Sequence, residues 1–201
     1  MAAAAIPIRT VDHELPYDTH NIYDIHVDDA TVIRTLVTHT PHMVDQWIAE
    51  VESEHRRLST ARLVVGLDVE WRPNFHRNQG DNPVAVVQLC VARRCLVFQI
   101  LHAPLVPASL SAFLQNRSHK FVGVGIESDV EKLVEWWNLN VANQVDLRSL
   151  AADKRGRAEY RNAGVKVLAR ELLGREVEKP QRVTMSRWDA EWLSVKQGAA
   201  G

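Results

Sequence analysis

The stretch that most limits the fold is residues 63–71, Leu-Val-Val-Gly-Leu-Asp-Val-Glu-Trp, an apolar run that ends by setting two carboxylates one residue apart. It reads as a buried strand. Side chains alternate along a strand, so Asp68 and Glu70 share one face while Val69 enters the opposite layer. Two acids held side by side repel unless positive charge lies between them. A hard divalent cation such as Mg2+ or Mn2+, which prefers oxygen ligands, fills that role. Taken alone, the same spacing also suits a strand end with two solvent-facing acids.

The segments around this strand set its partners. Residues 23–38 hold two β-rich runs about Asp28 and Asp29, predicting a hairpin. Thr40 as N-cap and Pro41 at the first helical position open an amphipathic helix to about Arg57, with Met43, Trp47, Ile48, Val51 and Leu58 inward. After the central strand, residues 72–82 are rich in Pro, Asn and Gly and form a loop at its carboxylate end. Residues 83–92 and 95–100 predict a hairpin turning at Arg93-Arg94, which makes three consecutive antiparallel strands, because the links are too short for a helical crossover. A short helix is expected over 107–116 and a strand over 121–125. Ser128-Asp-Val-Glu131 has capping-box form, placing Asp129 in the first turn of a helix whose core face is Val130, Leu133, Val134 and Trp137. An acid there also suits the helix dipole without any further role. A strand over 141–147, a basic helix from about Ser149 and a helix between Asn162 and Gly174 follow, the last with Val165, Leu168, Ala169, Leu172 and Leu173 inward. Glu178-Lys-Pro180 breaks the pattern, Trp188 and Trp192 read as core anchors, and Ser194 as an N-cap. Strands and helices in this order predict an α/β layered domain with a mixed sheet.

At 201 residues and 46% hydrophobic composition the chain suits one sizeable globular domain. Cys90 and Cys95 lack the spacings of a zinc site or a disulfide framework and are expected as buried thiols in a reducing compartment. No apolar run spans a membrane and no secretory leader is evident, so an intracellular protein, nuclear or cytoplasmic, is expected. Charge is uneven: residues 1–70 carry 5 Lys/Arg against 12 Asp/Glu, whereas residues 146–187 carry 11 against 6. The basic segment suits a phosphate backbone or a simply solvated face.

Three landmarks stand in order: Gly66-Leu-Asp-Val-Glu-Trp71, Asn82-Pro-Val-Ala-Val-Val-Gln-Leu-Cys90 and Phe121-Val-Gly-Val-Gly-Ile-Glu-Ser-Asp-Val-Glu-Lys-Leu133. Together they resemble the Werner-syndrome-like 3'-5' exonucleases of the DEDD superfamily, of the tyrosine-bearing type and closest to plant members. Val145-Asp-Leu-Arg148, Gly164-Val-Lys-Val-Leu-Ala-Arg170 and Met185-Ser-Arg-Trp-Asp189 extend the likeness, which runs from about Thr19 to Gln197. It implies a ribonuclease-H-like mixed β-sheet flanked by helices over 21–197, between flexible segments at 1–20 and 198–201. It also implies Asp68, Glu70 and Asp129 as catalytic, metal-holding carboxylates, Mg2+ or Mn2+ as cofactor, and DNA or RNA 3' ends as substrate. Two cations about 3.5 to 4 Å apart would stabilise the attacking and leaving oxygens of the hydrolysis. The expected nucleic-acid contacts are Trp71 and, in the basic segment, Lys154, Arg155, Arg157, Arg161 and Lys166.

One family feature has no match. Its third motif, tyrosine, three residues and aspartate, lies on a helix soon after the segment matching Trp188 to Gln197. Here the sequence reads Gln197-Gly-Ala-Ala-Gly201, with no tyrosine after Tyr160 and no acid after Glu191. The expectation is a C-terminally truncated fold with weak or impaired hydrolysis, the alternative being a silent module that binds nucleic acid or protein. A surface left bare by the missing helix would invite a protein partner or self-association.

Overall fold

The structure is a computed structural model that describes residues 8–57, 62–74, 80–177 and 181–198. One mixed sheet organises it, in the order β1-β2-β3-β6-β5-β4-β7-β8. Its strands are β1 Arg9–Asp12, β2 His20–His26, β3 Val32–Thr38, β4 Val64–Trp71, β5 Val84–Val91, β6 Arg94–Phe98, β7 Lys120–Gly123 and β8 Gln144–Asp146. β3 runs parallel to β6, β4 to β7 and β7 to β8, while the remaining neighbours are antiparallel. The expected hairpin over 23–38 and the antiparallel trio β4-β5-β6 are both present. The parallel join of β3 to β6 fuses them into one sheet.

Alternation along β4 divides the molecule into two layers. Val65, Leu67 and Val69 enter the main core with helices α1 (Pro41–Arg57), α2 (Ala108–Leu114) and α3 (Ile126–Trp137), which bring Trp47, Phe113 and Leu133 among others. On the other face, over β2, β3, β5 and β6, Tyr23, Val37, Val86 and Val97 pack with Val183 and Trp188. Val183 belongs to the short helix α6 (Gln181–Thr184). A third cluster joins α4 (Leu147–Arg155), the 3₁₀ turn Ala158–Asn162 and α5 (Val165–Leu173), with Val124 packed against it.

Several expectations need correction. Cys90 and Cys95 are not free thiols; they form a disulfide. The hairpin turns at Ala92-Arg93, one residue earlier than expected, with Ala92 at φ 52° as tight hairpins require. That register sets Val91 opposite Arg94 and therefore Cys90 opposite Cys95. Ser128 does not cap α3: Gly125, at φ 77°, precedes the first helical residue Ile126, so the helix starts two residues before Ser128. Asp129 still falls in its first turn. On that helix Val134 is exposed and Ile126 is buried instead. In α5 Val165 and Leu173 are exposed. Trp188 is core, but Trp192 is not. In α1, Val44 rather than Met43 completes the buried face. The segment expected to be flexible over 1–20 already pairs as β1 at Arg9–Asp12. Leu58 and the break at Glu178-Lys-Pro180 lie outside the described residues.

Ser194 does cap the last helix, α7 (Val195–Gly198). Gln197 Oε1 accepts from the Ser194 N–H at 2.9 Å while the Ser194 hydroxyl accepts from the Gln197 N–H at 3.4 Å, a reciprocal capping box. Gly198 then lies against the Tyr23 ring and Val37.

The β2–β3 turn carries a pH-dependent contact. The Asp28 carboxylate accepts the Ala30 N–H at 2.9 Å and pairs with Arg175 at 2.6 Å. Its pKa is lowered to about 2, chiefly by the Ala30 N–H. The folded value lies below the unfolded one of about 3.9, so the contribution is complete above that value and fades as pH falls towards 2. Asp28→Asn is expected to reduce the loss of urea resistance between pH 5 and pH 2.5.

Candidate active site

The two strand acids lie on the face of β4 that is turned away from the main core. In the antiparallel register Asp68 faces Gln88 and Glu70 faces Val86, so the acids share the face of Val86, away from the main core. Glu70 is only 8% exposed and Asp68 is partly exposed. A register shift at Glu70/Trp71 ends the regular pairing there, as bulges beside functional sites often do.

Asp129 comes to the same end of the sheet by a different route. β7 runs parallel to β4 with Val122 beside Gly66, so Gly123 reaches the Leu67 carbonyl, one residue before Asp68. The approach is so close that a β-carbon on Gly123 would lie 2.8 Å from that oxygen and 3.2 Å from the Ile126 β-carbon. Glycine at 123 therefore lets the chain leave β7 and start α3 directly beside the acid end of β4. Open α/β sheets place their sites at such carboxyl ends of parallel strands. Gly123→Ala is expected to cost about 1–3 kcal/mol through overpacking, because a backbone oxygen must move. Urea unfolding measures this.

A clamp holds the start of α3. Asp146 caps α4 by accepting the Arg148 N–H at 2.8 Å, and it binds the Arg148 guanidinium at 3.1 Å (Nε) and 2.7 Å (Nη2). The same carboxylate accepts the Gly125 N–H. Burial pushes the Asp146 carboxyl up, but these hydrogen bonds outweigh it and leave the pKa below its ordinary value. The guanidinium rests on Gly125, 3.1 Å from where a β-carbon would stand. Asp189 is likewise committed, at 3.2 Å to both Arg72 and Arg187. Burial raises its pKa, and the two arginines lower it further than burial raises it. Both of these acids are thus engaged by arginines.

The donors suit a hard divalent cation in kind, being carboxylates on converging elements. As they stand, no three His, Cys, Asp or Glu side chains among the described residues are gathered closely enough to hold an ion. Asp68, Glu70 and Asp129 each have an interaction partner.

Of the expected nucleic-acid contacts, Trp71 stands on β4 and the other five belong to the unit of α4, the 3₁₀ turn and α5. Trp71 packs on the main core, and its ring carries the Lys132 ammonium at 4.6 Å, which also pairs with Asp81 at 2.5 Å. Arg157 is bound to Glu159, Glu171 and the Tyr160 hydroxyl, and Arg161 to Asp153. Lys154, Arg155 and Lys166 are exposed on α4 and α5 with no ion pair among the described residues. Two features escaped the sequence reading. Gln88 is the one polar side chain in the run Val84–Val91 apart from the cysteine, which was a visible signal. The Asp146–Arg148 clamp lies in the quoted segment Val145-Asp-Leu-Arg148, but nothing local pointed to its target, Gly125, which is distant in sequence.

Comparison with known proteins identifies the family and the fold. A family model described as 3'-5' exonuclease matches residues 40–199. A 3'-5' exonuclease of Arabidopsis thaliana is 34% identical over 134 residues, covering 66% of this chain and 46% of that protein. The mouse bifunctional 3'-5' exonuclease/ATP-dependent helicase WRN is 34% identical over 126 residues, 62% of this chain and 9% of the relative. The chain thus spans about half the length of the first and a small part of the second. Among solved structures, the EXD2 exonuclease domain soaked in Mg and GMP superposes with a TM-score of 0.52 at 24% identity, covering 81% of this chain and 78% of that one. The fold is the ribonuclease-H-like mixed sheet flanked by helices that the resemblance implied. Among the described residues no helix is long and apolar enough to cross a membrane.

Proposed function

Because the chain belongs to the 3'-5' exonuclease family and resembles its Werner-like members, we propose that it removes nucleotides from the 3' ends of DNA or RNA by metal-dependent hydrolysis. The observation that carries this reading is the pair Asp68 and Glu70 on one face of β4, with Gly123 starting the Asp129 helix beside them. Asp68, Glu70 and Asp129 would hold Mg2+ or Mn2+, the ions in which EXD2 crystals were soaked. Such ions, when bound, activate water and stabilise charge on the oxygens of the phosphodiester. The chain's own part is to hold the acids on two rigid elements and to offer Lys154, Arg155 and Lys166 to the phosphate backbone. Phosphate contacts position a strand without reading its sequence. A nucleic-acid substrate would suit a place in the nucleus or cytoplasm.

A second reading, a silent module that binds nucleic acid or protein, draws on the acids not being gathered around an ion site among the described residues. One experiment separates the two. A duplex with a recessed 3' end is labelled at that strand's 5' end and incubated with the 201-residue chain in Mg2+ and in Mn2+. Shortening one nucleotide at a time, stopped by chelation, supports the exonuclease. A strand that is bound but stays intact supports the binding module, and internal cuts would contradict both.

A further inference from the structure

Gln88 lies in the middle of β5, only 4% exposed, and neither its amide nitrogen nor its amide oxygen has a hydrogen-bond partner. A buried amide in that state is costly, and such groups in folded proteins ordinarily have an explanation. Two other buried polar side chains among the described residues share the condition, but Thr35 stands on β3 and Trp47 on α1. Gln88 differs in its neighbour. It faces Asp68 across the β4–β5 ladder, on the same side of the sheet. Directly opposed residues have β-carbons about 4.5–5.5 Å apart, a span a glutamine side chain covers by rotating. Its other flank, towards β6, faces Val97, which offers the amide nothing.

We infer that Gln88 is a positioning residue, whose amide N–H donates to the Asp68 carboxylate and fixes its orientation when the acids take up a divalent cation. Residues behind a metal ligand act in this way: they aim the ligand and leave its oxygens to the ion. The inference rests on the exonuclease reading. It assigns a function to an amide that otherwise only weakens the strand that carries it.

The test uses Gln88→Met, which keeps length and apolar bulk, and Gln88→Glu, which keeps shape but loses the donor. Mn2+ uptake is followed by calorimetry, thermal midpoints with and without Mn2+ are compared, and 3'-end degradation is timed. The expected result is a Gln88→Met protein at least as thermally stable as wild type without metal, because the orphaned amide is gone. Its Mn2+ affinity should fall about 10–100-fold, its Mn2+-dependent rise in midpoint should shrink, and Gln88→Glu should rescue neither. Mn2+ affinity and degradation within twofold of wild type in Gln88→Met would overturn the assignment alone. A wild type that takes up no Mn2+ would overturn the exonuclease reading, and this inference with it.

Discussion

Replacing Asp68 and Glu70 together by alanine is expected to slow 3'-end degradation by about a thousand-fold or more while the chain stays folded. The magnitude follows from position. Changing a residue that merely supports a metal ligand costs about 10–100-fold, and this change removes two proposed ligands at once. The two acids share one face of a strand whose neighbours are fixed by pairing with β5 and β7. Asp146 and Asp189 are engaged elsewhere, the first by Arg148 and the second by two arginines. The comparison is made by gel assay at matched protein concentration, with circular dichroism confirming the fold. Degradation within tenfold of wild type would remove these residues from the mechanism.

The largest effect on stability is expected at Trp188. Its side chain is fully buried, with Val183 in the outer-face cluster against Tyr23, Val37, Val86 and Val97, and its indole N–H donates to the Thr184 carbonyl at 3.3 Å. Trp188→Ala leaves a cavity between the sheet and the segment carrying α6 and α7, and should cost about 3–5 kcal/mol. Against a typical domain stability of about 5–15 kcal/mol, that is a large share. Trp192, 56% exposed, stands only four residues away. Trp192→Ala should shift stability by no more than about 0.5 kcal/mol. Urea unfolding of the two variants side by side checks the contrast, and equal losses would contradict the packing described.

Both tryptophans show where sequence reading works and where it stops. Spacing of four placed them on one helical face, but residues 185–194 do not form a helix, so the two side chains point into different surroundings. The strand 64–71 was legible because its pattern is local: burial alternates residue by residue from Val64 to Val69, and the shared face of the two acids follows from the strand period. The β2–β3 hairpin and the β4-β5-β6 meander were legible for the same reason. What joined them, the parallel β3–β6 pair, connects strands separated by more than 55 residues and left no periodic trace. The disulfide was missed by a one-residue error in the turn. A turn at Arg93-Arg94 pairs Ala92 with Cys95, whereas the turn at Ala92-Arg93 pairs Cys90 with it. At α3 the local signal was outcompeted. Ser128 and Glu131 have the right spacing for a cap, but the close approach of Gly123 to Leu67 and the left-handed Gly125 start the helix earlier. The acid at 129 survived this error because three residues of shift still lie within one turn.

The central claim is that a strand and a helix contribute acids to one catalytic unit. The direct measurement is the rate of 3'-end degradation for wild type, Asp68→Ala, Asp129→Ala and the double variant, under one metal concentration. Groups that act as a unit lose their effect together, so the double variant should be no slower than either single one. Losses that multiply, or an Asp129→Ala protein as active as wild type, would show that the acid on α3 works apart from the pair on β4.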